Sequence, residues 1–433
     1  MDTLCVGFCR KCITPPVGVR LYGYPNNRKS ESVHDDLYAN AISLQQGAVR
    51  ALMISVDICA LTTVQINAFR KEIGALTAVP EDHILIAATH THSGPTTRTT
   101  FGWGSADDSY TETILLPAML ATAEAAVTNA TPAIMGIGLT HSEAGINRRQ
   151  HIGGAVKLGQ NPDGPFDPKM YLLSFATAEG KPIVNLIHYG AHPTACGPGP
   201  EITRDWPGIM TDTVEAETGI PTVFVNGAEG DVGPRISNGK TIGDMHYVEE
   251  IGFVAGRDAL RAWGAVQPVA EPLLAVYTED ICLPYEPLPS KEATEKALAA
   301  LNGASRIMDQ VEKHRCEEIL AFYDSGKEPL THWRFRQTVL CLGPVAFVPY
   351  PFEMFCEIAM DQQAGSPFPY TLCLSNCGGA ELYLPTREEI PFGGYEVQQF
   401  KYSKVFVLTE DAECRIVAEN QRLLTQLFSK RRR

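Results

Sequence analysis

Short apolar runs alternate with stretches of helical spacing over the first half of the chain. Ala51–Val56 (ALMISV) reads as a buried strand, and Thr63–Leu76 follows with apolar positions at helical intervals. His83–Ala88 (HILIAA) reads as a second strand. Residues 110–128 read as a helix kinked at Pro117, because an interior proline removes a hydrogen bond. Further strands are expected at 133–139, 170–176, 182–188 and 222–226, with a helix near 207–218. Strands and helices in alternation predict an α/β fold of layered mixed β-sheets flanked by helices.

The second half opens near Leu273, after a helix over 247–264 and a proline-containing turn. A long amphipathic helix over 290–325 is expected next. It precedes strands over Arg334–Leu342 and Val345–Val348, a helix over Phe352–Asp361, a strand at 370–374 and a last helix over Ala412–Phe428. No internal repeat or low-complexity linker parts the halves, so residues 1–433 read as one body with approximate subdomains 1–270 and 271–433.

Composition narrows the function classes. Of 433 residues, 44% are hydrophobic and 20% charged, the balance of a soluble globular protein. A net charge of −14 argues against nucleic acid as partner, since phosphate binding needs a basic face. The one dense basic run, Lys430–Arg433, reads as a frayed terminus. The opening MDTLCVGFCRKCITPP has no charged segment leading into an apolar one, so no secretion signal is read there. No window approaches the roughly 18 uninterrupted apolar residues of a membrane span. The twelve cysteines are scattered. Cys5, Cys9 and Cys12, and Cys373 with Cys377, lack paired CxxC spacing and read as structural thiols in a reducing, cytoplasmic compartment.

Four segments carry candidate chemistry. Ala88-Thr89-His90-Thr91-His92-Ser93-Gly94-Pro95 directly follows an apolar strand, where α/β folds place ligand-binding loops. On an extended backbone His90 and His92 would point to one side, and converging imidazoles suit zinc. An HxH pair alone fits a metal site and a structural pair equally well. His188-Tyr189-Gly190-Ala191-His192-Pro193-Thr194 also ends a strand. A lone histidine there would be read as structural, and the first histidine-rich strand end tips it toward metal. Val225–Pro234 (VNGAEGDVGP) is glycine-rich, which suits a close approach to a ligand and a plain turn alike. It lacks the ending of a phosphate loop. Pro349–Glu353 and Gly379–Thr386 say nothing taken alone.

Together these segments resemble the amino-terminal catalytic domain of the neutral (non-lysosomal) ceramidases. The likeness runs from Val6-Gly7 and Ile13-Thr14-Pro15 to Gly393-Gly394-Tyr395-Glu396, with HTHSGP the most specific match. It implies Zn²⁺ held by His90, His192, Glu353 and Tyr383, with bound water activated toward a pKa of about 7. It also implies His92 beside the reacting carbonyl and a substrate-facing Arg148. Asp57, Asn147, Glu229, Asp231 and Gly233 would lie around this centre, with Asp57 either orienting a ligand histidine or capping a turn. His92 or the Glu229/Asp231 pair would protonate the leaving amine.

Two departures bear on the reading. Gly233 stands where the family carries a serine, so no serine nucleophile is expected there. The carboxy-terminal β-sandwich of the family is not expected to follow. The resulting expectation is a zinc-dependent amidohydrolase acting on a small soluble or lipid-like N-acyl substrate. Its rivals are an ester, lactone or cyclic-amide hydrolase, a condensation enzyme running the reverse reaction, and a binding protein without catalysis. A homo-oligomer stays open.

Overall fold

The computed structural model describes residues 2–25 and 27–430, so the last three arginines of the basic run lie outside the described residues. The larger sheet follows one path of eight strands: β1 (Cys5–Cys12), β2 (Tyr38–Gln46), β3 (Val49–Val56), β4 (Ile84–Ala88), β5 (Thr131–His141), β6 (Lys169–Thr177), β7 (Pro182–Tyr189) and β8 (Thr222–Asn226). Their order is β8-β7-β6-β5-β1-β2-β3-β4, and a short strand, Gln267–Val269, pairs with β5. Only the two outermost pairs, β3 with β4 and β7 with β8, are parallel.

A parallel pair needs a long crossover, usually a helix. Helix α1 (Thr63–Thr77) supplies the first. It buries Ile66, Phe69, Arg70, Ile73 and Thr77, one face at helical spacing, and Thr62 with Gln65 closes a reciprocal cap at its start. Helix α2 (Leu116–Thr128) covers the same half of the sheet. Helix α3 (Trp206–Thr218) forms the second crossover and packs beside α4 (Met245–Gly264).

The sheet curls because its middle is weakly joined. β1 and β5 pair at only two positions, Cys5 with Pro132 and Val6 with Thr131. Two arms result, and their outer strands approach each other. Ser55 Oγ donates to the Phe224 carbonyl at 2.6 Å, and Asn226 Nδ2 donates to the Thr89 carbonyl at 3.1 Å.

A second sheet of β9 (Leu274–Pro284), β10 (His332–Leu342), β11 (Val345–Pro349) and a later strand, Tyr370–Leu374, packs onto the concave side. Leu340, Leu342, Phe347, Leu372 and Leu374 share one buried cluster with Leu44, Leu85, Leu173, Leu186 and Val225. Each such side chain contributes roughly 1.5–3 kcal/mol by leaving water. The layered α/β class expected from the pattern is the class observed. No helix among the described residues is long and apolar enough to cross a membrane.

Three expected elements differ. The helix over 110–128 begins with a π-helical turn at Thr111–Leu115, which takes up the disruption around Pro117 that was expected as a kink. The helix over 290–325 is two, α5 (Lys291–Ala300) and α6 (Ile307–Asp324), separated at Asn302-Gly303, where Gly303 has φ +80°. The helix over 352–361 is a strand, β12 (Phe352–Met354), followed by α7 (Cys356–Ala364). With the strand Tyr370–Leu374 as β13, β12 pairs in parallel with β14 (Leu382–Leu384). Helices α8 (Tyr395–Tyr402) and α9 (Ala412–Lys430) complete the chain.

Helix-on-sheet packing in both arms depends on a glycine. A Cβ at Gly7 would lie 2.1 Å from the Ala126 carbonyl oxygen, and one at Gly138 would lie 1.9 Å from that of Ala262. Gly7→Ala is therefore expected to push α2 off β1 and cost about 1–3 kcal/mol. A lowered thermal unfolding midpoint is the readout, and an unchanged one would show that the close approach is dispensable.

Candidate metal centre

The curl brings the ends of β4 and β7 together. His90 lies two residues beyond β4 with φ +74°, a left-handed conformation costly for a side chain of this size. The surroundings hold it there: its backbone N–H donates to Ile58 O at 3.0 Å, and its Nδ1 bonds the Cys59 carbonyl at 2.8 Å. His192 is held in the same manner. Its N–H donates to Val232 O at 2.9 Å, and its Nδ1 bonds the Glu229 carbonyl at 2.5 Å. A ring nitrogen facing a carbonyl must carry the proton, so in the neutral form each histidine turns a bare Nε2 inward.

Glu353 meets both rings. Its Oε2 lies 3.3 Å from His90 Nε2 and 3.2 Å from His192 Nε2. Tyr383, directly opposite Glu353 in the β12–β14 pair, places its hydroxyl 3.2 Å from His192 Nε2. Two imidazole lone pairs and a carboxylate oxygen then face one another, which is repulsive without a shared cation or proton. Zinc bonds of about 2.0–2.1 Å in a tetrahedron place neighbouring donors about 3.3–3.4 Å apart. The observed spacing fits such an ion, and His90, His192 and Glu353 form a cluster able to hold one.

The electrostatics agree. Burial alone would raise the Glu353 carboxyl, but His90 and His192 outweigh it and hold the group well below the ordinary carboxylate range. Burial, with Arg148 nearby, pushes His192 down to about 3, which keeps it neutral. His90 moves the other way: burial opposes its charge, but Cys59 and Glu353 prevail and raise it well above the ordinary imidazole value. Without a cation, His90 is thus where the balancing proton goes.

The remaining expected residues take varied places. His92 Nε2 lies 3.3 Å from His90 Nε2 although the segment is not extended, so the two rings meet through the left-handed turn at His90. Burial and the two neighbouring histidines hold His92 well below the ordinary imidazole value. Arg148 sits behind Tyr383: its Nη2 donates to the Tyr383 hydroxyl at 3.0 Å and to Gly230 O at 2.8 Å, and its Nε donates to Glu396 at 2.9 Å. It does not line the cavity over the centre, so here it positions the phenol. Asp231 accepts from Cys356 N at 2.7 Å and from Asn147 Nδ2 at 3.2 Å, and its carbonyl takes the Arg148 N–H. Burial raises Glu229 to about 8 and Asp231 to about 7. Neither carboxyl lines the cavity. A Cβ at Gly233 would meet Thr241 Cβ at 2.6 Å.

Asp57 does not reach a histidine. Its Oδ2 accepts the Tyr38 N–H at 2.9 Å, and the group that orients His90 is the Cys59 carbonyl. A side-chain reading of the sequence has no means of finding a backbone carbonyl. Glu396, which bridges Arg148 at 2.9 Å and Arg149 at 2.7 Å, was also missed, although it ends the GGYE segment.

The cavity above the centre measures about 350 Å³. His90, His92, Glu353 and Tyr383 lie in its wall with Tyr22, Trp103, Leu382 and Tyr395. Cys59 also lies there, with Sγ 3.6 Å from His90 Nδ1. That nitrogen already donates to a carbonyl, so it cannot serve as a base for the thiol.

Burial pushes Asp57 up to about 6 from an ordinary 3.8. A raised carboxyl holds its proton more tightly in the folded chain. Its contribution to stability is full below the unfolded value and is lost as pH rises through about 6. Relative to Asp57→Asn, the wild type is expected to lose on the order of 2–3 kcal/mol between pH 4 and pH 7. Unfolding midpoints of both proteins at the two pH values test this, and a gap that does not change with pH would refute it.

Neither family models nor curated proteins give a match to the sequence. Solved structures do. Neutral ceramidase from Pseudomonas aeruginosa superposes with a TM-score of 0.72 at 18% identity, over 99% of this chain and 74% of that one. A ceramidase complexed with C2 gives 0.69 at 18% identity, over 99% and 75%. From end to end, then, the chain has a neutral ceramidase-like fold.

Proposed function

We propose that this chain is a zinc-dependent amidohydrolase cleaving the N-acyl bond of a small substrate. The observation that carries the reading is the convergence of His90 Nε2 and His192 Nε2 on Glu353 Oε2, at 3.3 and 3.2 Å, with His90 and Glu353 in the wall of a cavity. The ceramidase fold of its structural neighbours supports an amide as the target. His90, His192, Glu353 and Tyr383 would hold the ion. An ion so held supplies activated water at neutral pH and polarises a carbonyl.

The chain's own residues do the rest. The Cys59 and Glu229 carbonyls fix the tautomer and aim of the two ligand rings, a support usually worth 10–100-fold in metal affinity. Arg148, neutralised by Glu396, keeps the Tyr383 hydroxyl in place. His92 is in the cavity wall and is held neutral there, so it can take the proton released by the attacking water and pass it to the leaving amine. A volume of about 350 Å³ is near the lower end of ligand sites and suits a small amide. Scattered cysteines without paired spacing support a reducing, cytoplasmic setting. We assign the site to one catalytic domain, since the segments 1–270 and 271–433 each provide two of its four ligands.

Elemental analysis of the purified protein should find about one zinc per chain, lost in the His90→Ala, His192→Ala double variant. Cleavage of short N-acyl amides should disappear with the metal and return when zinc is restored to the wild type. A well-folded wild type that takes up no divalent ion would overturn the proposal.

A further inference from the structure

Of the lysine and arginine side chains in the cavity wall, one has no carboxylate partner. Lys404 Nζ bonds Glu381, whose other oxygen accepts the Thr63 N–H at 2.9 Å. His314 faces Glu318 at 3.7 Å. Glu353 belongs to the metal centre. Arg98 has no carboxylate within ion-pair distance among the described residues. Its Nη1 donates to the Ala380 carbonyl, which fixes the guanidinium, while its Nε is buried with no partner and its Nη2 has none among the described residues.

Nε has no accessible surface, so Nη2 is the nitrogen left to meet a carboxylate, through one charge-assisted hydrogen bond. A charged group drawn partly out of water without a counter-charge is costly, and a ligand that brings the counter-charge recovers that cost. Beside Arg98 the wall carries the Thr99 and Thr100 side chains, and Thr100 Oγ1 is fixed at 2.7 Å from the Tyr22 hydroxyl. Trp103 and Leu382 provide apolar surface in the same cavity.

We infer that the substrate carries a carboxylate that docks on Arg98 while its amide lies at the metal centre. The class is a short anionic amide such as an N-acyl amino acid, as opposed to a neutral long-chain lipid amide. This rests on the cavity being the substrate site of the proposed hydrolase. It goes further by assigning the part of the substrate that does not react.

The test separates binding from turnover. Zinc-loaded protein is titrated calorimetrically with a short N-acetyl amino acid and with the corresponding carboxamide, which has the same shape without the charge. The wild type should bind the anion at least about tenfold more tightly, and this preference should weaken with added salt. Arg98→Gln should erase the preference, and Arg98→Lys, which keeps the charge on a differently shaped group, should retain part of it. Metal content of each variant confirms that the centre is intact. Equal binding of anion and carboxamide by the wild type, or a preference that survives in Arg98→Gln, overturns the inference. Charge-selective binding without hydrolysis would leave the inference standing and count against the hydrolase.

Discussion

The centre depends on two ring nitrogens being tied to backbone carbonyls. Once His90 donates to Cys59 and His192 donates to Glu229, neither ring can turn a proton toward Glu353 without taking on charge. The alternatives for that buried spot are a proton borrowed by His90 or a cation held by all three groups. The carbonyls are rigid because each belongs to a segment fixed by its own hydrogen bonds. Val232 N–H donates to Glu229 O at 3.0 Å, and Cys59 lies next to Ile58, whose carbonyl takes the His90 N–H at 3.0 Å. The backbone thus sets the chemistry of the side chains.

Such carbonyls can converge only if the ends of two distant strands meet. In an open sheet, β4 and β7 would lie far apart, with five strands between them. The weak β1–β5 joint lets the arms fold toward each other, and the second sheet fills the hollow with apolar side chains. The same second sheet leads into β12 and β14, which carry Glu353 and Tyr383 as opposite residues. One curled sheet and one filling sheet therefore deliver two of the four candidate ligands each.

What could be read from the sequence follows from this division. β4 and β7 are nearly continuous apolar runs because these parallel pairs are covered by helices on one face and by the second sheet on the other, and the histidines after them stood out. β2 escaped notice because Asn40, Ser43 and Gln45 interrupt its pattern; Asn40 is nonetheless buried, accepting from Arg10 Nε at 2.7 Å. Glu353 was placed on a helix because three residues are too few for strand periodicity to show, and β12 owes its form to a partner thirty residues away. The split near Asn302-Gly303 carried a turn signal that the amphipathic spacing on either side outweighed. Arg98 had no signal at all, since an arginine without a partner is visible only once its neighbours are placed.

Gly233 shows how the scaffold limits the chemistry. It pairs with Ile146 in the short antiparallel ladder of Val232–Pro234 with Gly145–Asn147. That ladder is where Asp231 O takes the Arg148 N–H and Val232 O takes the His192 N–H. A side chain at 233 would press on Thr241, whose carbonyl in turn accepts the Thr194 hydroxyl at 2.9 Å, two residues from His192. Adding a hydroxyl there would disturb the strand that aims both His192 and Arg148. With glycine the ladder closes tightly and offers no hydroxyl beside His192 and Arg148.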